Sequence, residues 1–373
     1  MATHEDRLVA RDAEAMRTHA ALDGTGNLVT LAAMTWGLLR GLGVRGGQML
    51  TVGADAAAFA GLSETRGFLN MGFRALSMPI PPDPGAWPHD DLTPVTLVPG
   101  MPQLHDVVLA NLPYADLYLS SVQASWTRNR IQQALIQNVV DHLLPGGLAV
   151  VVANHRYLDA PGQARREMIR QEADLLGMVR LAGATLHPDL PTDVTSPVDL
   201  LVLRKRLPGE PDRSREFVRV ERTHYGPVNG GINVFRTRYL LEHDTDQVGE
   251  DRLVPDLRTG QRLQIVADSV WEERLAEVLV DLANTACADG LTIAARQGRS
   301  LFGPGADVVA RHRFFEAGEL RELFHLDDPA AVPPTRSTAF RSLPGFLPLG
   351  PLQANHQGPE ARHSPRGPHT PGL

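Results

Sequence analysis

The chain has 373 residues, 43% of them hydrophobic, and a formal net charge of −7, so it can bury one substantial domain plus a smaller one. The acidic balance excludes a surface that is basic throughout, and any contact with a polyanion has to be a local patch. One cysteine, Cys287, excludes an internal disulfide and a cysteine-based zinc site, and the apolar runs fall far short of the ~20 residues that cross a bilayer, so no membrane partner and a cytoplasmic location are expected.

Residues 1–26 read as an N-terminal amphipathic helix closed by the loop Asp23-Gly24-Thr25-Gly26. The main domain, 27–206, opens with an apolar helix over 28–42 and a first strand over 48–53. A Pro-rich stretch follows, with Asp83, Asp90 and Asp91 in it, and then a second apolar strand at 106–110. In the helix expected at 128–144, Ile131, Leu135, Ile136, Val139, Val140 and Leu143 recur at helical spacing and are assigned to the core. Pro145-Gly146-Gly147 turns the chain into a strand at 148–153, a helix is expected at 162–176, and strands at 178–182 and 198–204 complete the alternation. The region 207–326 reads as a small α+β extension, mostly helical, with a strand at 216–222, the Gly-rich turn 227–231, a short helix from Tyr239 to His243 and helices near 268–288 and 316–325. Residues 327–373 are dominated by Pro, Gly, Arg and His, and a disordered tail is expected there. Strands alternating with helices predict an α/β class, a doubly wound Rossmann-like sheet whose strand C-terminal ends gather along one edge.

Asn111-Leu112-Pro113-Tyr114 stands on that edge, directly after the apolar run Val107-Val108-Leu109-Ala110. An exocyclic amine is a poor nucleophile because its lone pair is delocalised into the ring, so a site that methylates one has to accept hydrogen bonds from its N–H groups. The Asn111 amide oxygen and a backbone carbonyl, of Leu112 or Pro113, are suited to that. Proline fixes φ and lacks an N–H, and Tyr114 offers a face on which an extruded base can stack. Positioning rather than acid–base chemistry would then carry the rate.

From His105 to Arg206 the order of features resembles the N6-adenine DNA methylase domain of methylase–helicase proteins from phages and mobile elements. The likeness is carried by Asn111-Leu112-Pro113-Tyr114, by Pro145-Gly146-Gly147 leading into Leu148–Val152, by Tyr157-Leu158-Asp159, and by Arg165-Arg166-Glu167-Met168 with Ala173–Leu181, Thr192-Asp193-Val194 and Val198–Arg204. It implies a methyltransferase fold, S-adenosylmethionine as cofactor, DNA as substrate, catalytic roles for Asn111, Pro113 and Tyr114, and a helicase or nuclease partner in a restriction, defence or mobile-element system. For the cofactor it implies the segment after the first strand, with Gly53, Asp55 and Phe59. Here Thr51 stands where the family has an acid, and Asp55 and Ala57 stand where it has glycine. These departures keep open a non-catalytic module that retains the fold to bind DNA or a partner, and methylation of an amine on another substrate.

For nucleic acid, Trp126, Arg128 and Arg130 after the acceptor turn are the candidate contacts, with Arg165, Arg166 and the series Arg204, Lys205, Arg206, Arg213, Arg215, Arg219 and Arg222 as further positive charge. None of the fourteen histidines has a partner at the local spacing of a metal ligand pair, so no metal is expected.

Overall fold

The computed structural model describes residues 3–21, 27–44, 47–53, 71–76, 104–227 and 230–293. Helix α1 (His4–Ala21) opens with a reciprocal cap, in which Thr3 and Asp6 exchange hydrogen bonds between backbone N–H and side-chain oxygen. Leu8, Asp12, Ala15, Met16 and His19 are its buried positions and form a stripe at helical spacing. Helix α2 (Leu28–Gly41) is buried along Leu31–Leu39, as its uninterrupted apolar sequence requires. Strands β1 (Gly47–Gly53), β2 (Met71–Leu76) and β3 (His105–Asn111) follow. Helix α3 (Val122–Asp141) is capped by Ser121, whose side chain accepts the N–H of Ala124. Then come β4 (Leu143–Asn154), the single turn α4 (Arg156–Asp159), α5 (Ala164–Glu172), β5 (Ala173–Leu181), the turn α6 (Gly183–Leu186) and β6 (Val198–Lys205). The remainder comprises β7 (Val220–Tyr225), β8 (Ile232–Thr237), α7 (Arg238–Glu242), β9 (Gln247–Val248), β10 (Glu250–Asp256), β11 (Gly260–Val266) and α8 (Trp271–Ala288).

Among the described residues seven strands form one sheet in the order β2-β1-β3-β4-β6-β5-β9. Strands β2, β1, β3 and β4 are parallel, whereas β6 is inserted antiparallel between β4 and β5. Side chains alternate across the sheet. Val107 and Leu109 of β3, Val150 and Val152 of β4, and Leu200 and Val202 of β6 pack with α2 and α8 on one face. Val108, Ala110, Ala149, Val151, Leu201 and Leu203 pack with α3, Tyr157 of α4 and Ile169 of α5 on the other. Two apolar faces, each covered by helices, explain why the strands read as continuous hydrophobic runs. This is the doubly wound α/β architecture expected from the sequence. Residues beyond Arg206 contribute to it, since Leu275, Leu279 and Leu282 of α8 belong to the first core.

The structure differs from expectation at four places. The helix expected at 128–144 runs from Val122 to Asp141, and Leu143, assigned to it, opens β4. Helix α5 stops at Glu172, and Ala173–Leu175, read from the sequence as helix, pair with Leu203–Lys205 as the start of β5. The strand expected at 216–222 begins only at Val220, because Phe217 and Val218 drop into the core and the Val218 carbonyl accepts Arg166 Nε at 3.0 Å. The hairpin β10–β11 had no counterpart in the sequence reading. The helix expected at 316–325 and the tail 327–373 lie outside the described residues.

Candidate active site

In the parallel register Gly53 of β1 lies beside Asn111 of β3, and Asn111 lies beside Val152 of β4. The end of the candidate cofactor strand and the start of the candidate acceptor turn are therefore neighbours on one sheet edge, where ligands bind in such folds. Asp55 and Phe59, the other two candidate cofactor residues, lie outside the described residues.

The acceptor turn is tightly built. Leu112 N–H donates to the Val152 carbonyl at 3.0 Å, Ala115 N–H to the Leu112 carbonyl at 3.3 Å, and Leu117 N–H to the Tyr114 carbonyl at 3.3 Å. Tyr114 has φ +53°, the left-handed region that non-glycine residues rarely adopt, and is the one such residue among those described. Behind the turn runs a closed polar network. Gln132 Nε2 donates to the Pro113 carbonyl at 2.9 Å while Gln132 Oε1 accepts the Asn154 N–H at 3.0 Å. Asn154 Nδ2 donates to the Ala115 carbonyl at 2.6 Å and to Ser196 Oγ at 3.1 Å, and Asn154 Oδ1 accepts from Arg128 and from the Arg156 N–H.

This network corrects two expectations. The Pro113 carbonyl, a candidate acceptor for a substrate amine, is already held by Gln132, which leaves Pro113 its fixed φ as its contribution. Arg128, expected to meet nucleic acid, is 2% exposed and donates to the Leu117 carbonyl, to Asn129 and to Asn154. Burial, followed by the charge of Arg156, pulls it down to about 9, which still leaves it protonated at neutral pH. Helical phase separates it from its neighbours: Arg128, Gln132, Leu135 and Val139 face inward, while Trp126 is 54% exposed and Arg130 lies over its ring at 4.3 Å. Arg166 is also buried, on the carbonyls of Val218, Tyr157 and Ala160. Arg204 and Arg206 pair with Glu210 and Asp174, and Lys205 donates to the Val140 carbonyl.

Helix α1 lies across the turn. Its buried Asp12 accepts the N–H groups of Ser120 at 2.8 Å and Ser121 at 2.7 Å as well as the Ser121 hydroxyl. Burial raises the Asp12 carboxyl, with these hydrogen bonds opposing. Arg11 donates to Ser120 Oγ and Asp193, and Glu5 accepts the Val122 N–H. Tyr114, expected to offer a free face, is 1% exposed: Met16 packs in the same cluster and His19 meets its ring edge-on with centroids 5.5 Å apart. His19 in turn joins Asp116 and His187, a cluster with no local signal in the sequence, because its members are 97 and 71 residues apart.

Next to the turn opens a cleft of about 560 Å³, walled by His155, α4, Arg180 of β5 and the two hairpins. Arg156, Arg222 and Arg258 are exposed on it, and no salt bridge engages them among the described residues. Phe235, 46% exposed, lies directly across the hairpin from Arg222. Buried Arg180 holds Asp159 and Asp199 in the floor, and Arg262 stacks over Tyr118 at 4.0 Å. Burial and the charges of Arg180, Arg156 and Arg128 hold His155 well below the usual imidazole range, so it is neutral here. Of this wall, sequence reasoning offered only Arg222 as a contact for nucleic acid. An exposed aromatic opposite an arginine is visible only once the hairpin register is known.

No protein-family model matches the sequence, and no curated protein matches it. Solved structures similar to it include a protein of Listeria monocytogenes assigned to the class I S-adenosylmethionine-dependent methyltransferases, at 11% identity over 57% of this chain and 72% of that one, with a TM-score of 0.36. A modification subunit assigned to a type I restriction enzyme of Vibrio vulnificus gives 17%, 55%, 50% and 0.34 on the same measures, so the chain spans half of that subunit. The N-methyltransferase NodS of Bradyrhizobium japonicum, solved with S-adenosyl-L-homocysteine, gives 16%, 52%, 98% and 0.31. These scores are low, and none of them assigns a role to a residue of this chain.

Proposed function

We propose that the protein is an S-adenosylmethionine-dependent methyltransferase acting on an amino group, adenine N6 of DNA in the reading that the acceptor turn and the neighbouring cleft support best. The carrying observation is the register that sets Gly53 beside Asn111, since methyl donor and amine have to meet at one point of the sheet edge. A glycine at the end of β1 leaves no side chain between a ligand and that edge, which suits a cofactor bound there. The cofactor supplies an electrophilic methyl group on a sulfonium. Asn111 would accept a hydrogen bond from the amine and turn its lone pair towards the methyl carbon, the N–C bond forming as the C–S bond breaks with its electron pair left on sulfur; the methylated nitrogen would then release its proton to water. Tyr114 stacks on the base after α1 has moved from its ring. Arg156, Arg222 and Arg258 hold phosphates, and Phe235 and Trp126 meet bases. A helicase or nuclease partner in a restriction or defence system fits a chain whose net charge is −7, so that contact with DNA falls to a local patch.

Calorimetric titration of the full chain with S-adenosylmethionine, followed by methylation of adenine-containing DNA by wild type and Asn111→Ala, tests this. Expected are micromolar cofactor binding, about 8 kcal/mol, and a loss of at least about a hundredfold in methylation for the variant with cofactor binding kept. Absence of binding at millimolar cofactor, or unchanged activity of the variant, would falsify the assignment.

A further inference from the structure

We propose that His19, Asp116 and His187 bind one divalent transition-metal ion of the zinc class, and that this ion fastens helix α1 across the acceptor turn. The three side chains come from α1, from the turn itself and from the segment after α6, and all three are buried. The Asp116 carboxylate faces His19 Nε2 with one oxygen, at 2.9 Å, and His187 Nδ1 with the other, at 2.5 Å. The three ligand atoms lie within 4.8 Å of one another, and the two imidazole rings meet with centroids 4.6 Å apart.

Two imidazoles and a carboxylate are the donor set of a zinc-type site with a fourth position left to water. This deeply buried carboxylate is faced by the two imidazoles, and no arginine or lysine makes a salt bridge to it among the described residues, so a metal cation held between the three would balance its charge. Zinc–nitrogen and zinc–oxygen bonds near 2.0–2.1 Å put tetrahedral ligands about 3.3 Å apart. The backbone is fixed around the site: Asp116 O accepts the Ser196 N–H at 2.6 Å, and a Cβ on Gly183 would come within 2.1 Å of the Ser196 carbonyl oxygen. Gly183 is therefore what lets the chain leading to His187 approach Ser196, whose N–H is in turn held by the Asp116 carbonyl. Bound metal would replace the protons now shared between carboxylate and imidazoles and would tie α1 over Tyr114. The ion site does not depend on the methyl-transfer reading, whereas its effect on access to the turn does.

The test uses the full chain, purified without a polyhistidine tag, stripped with EDTA and titrated with Co²⁺ and then Zn²⁺. Expected are one Co²⁺ per chain with the visible absorption of a tetrahedral site, its displacement by Zn²⁺, and slower proteolysis within α1 when Zn²⁺ is present. Asp116→Asn and His187→Gln should each weaken the metal by at least about a hundredfold, the upper end of what loss of even a supporting group costs. His224→Gln on the exposed hairpin should change nothing. Failure of the wild type to take up either ion overturns the proposal, as does uptake undiminished in both variants. Uptake with no change in α1 proteolysis overturns the fastening role. Should Asp116→Asn fail to fold by circular dichroism, His187→Gln and the wild-type titration decide.

Discussion

The acceptor turn and the arginine cleft adjoin each other and are built on opposite plans. At the turn, Asn111, Pro113 and Tyr114 are enclosed, and Pro113, with its supports Gln132 and Asn154, finds its hydrogen bonds inside the protein. In the cleft, Arg156, Arg222 and Arg258 hold their charge towards solvent, and Phe235 leaves nearly half its surface exposed. The turn is ordered but closed, and the cleft is open and lined by arginines. A substrate can reach the cleft as the molecule stands, and reaches the turn only when α1 moves. In the proposed function, capture of a polyanion and delivery of one base would therefore fall to different surfaces.

The comparison can be broken most severely from below. Arg180 is buried with Asp159 and Asp199, and Asp159 also caps the Thr237 N–H, so Arg180→Ala strips two buried carboxylates of their cation beneath the cleft. Chemical denaturation should show a loss of about 3–5 kcal/mol, and a loss below 1 kcal/mol would mean that the floor is solvated. Next in size is the cover. Asp12→Ala leaves two buried N–H groups of the loop without an acceptor and should cost about 2–3 kcal/mol, with α1 cleaved faster by protease. If α1 restricts the acceptor, this variant should also lower KM for DNA, and an unchanged KM would deny α1 that role.

The cleft itself is probed by Arg156→Gln, Arg222→Gln and Arg258→Gln together. Each neutralised phosphate contact should remove about one unit from the salt dependence of DNA binding while leaving cofactor affinity and thermal stability near wild type. An unaltered salt slope would place the DNA elsewhere. The smallest effect lies away from both surfaces. Hydrogen bonding by Arg204, against the opposing effect of burial, lowers the Glu210 carboxyl in the folded protein. A carboxylate depressed on folding stabilises above its unfolded pKa, about 4.3, and loses that contribution as pH falls through the folded value. Glu210→Gln should accordingly cost about 1 kcal/mol at neutral pH and nothing in strong acid; a cost independent of pH would point to packing instead.

How legible each region was follows from the range of the interactions that define it. Strands β3, β4 and β6 announce themselves as apolar runs because both faces are covered, a property written locally in Val107–Ala110, Leu148–Ala153 and Val198–Leu203. Asn111 could be placed on the sheet edge for the same reason. The cover was legible only as an amphipathic helix; that Asp12 and His19 grip residues more than ninety positions away depends on tertiary packing. Arg128 was misread although its helical phase with Gln132 and Leu135 carried the answer. The end of α5 was misread because Ala173-Asp174-Leu175-Leu176 satisfies a helical period as readily as a strand.

The polar chain behind the turn has an evolutionary consequence. Arg128, Gln132 and Asn154 each fill the hydrogen-bonding capacity of another or of the turn's backbone, so replacing one alone strands the rest in a dry interior. Across related sequences these three positions should change in concert or not at all, whereas Trp126 and Arg130, on the opposite face of the helix from Arg128, are free to drift individually with the preferences of whatever they touch.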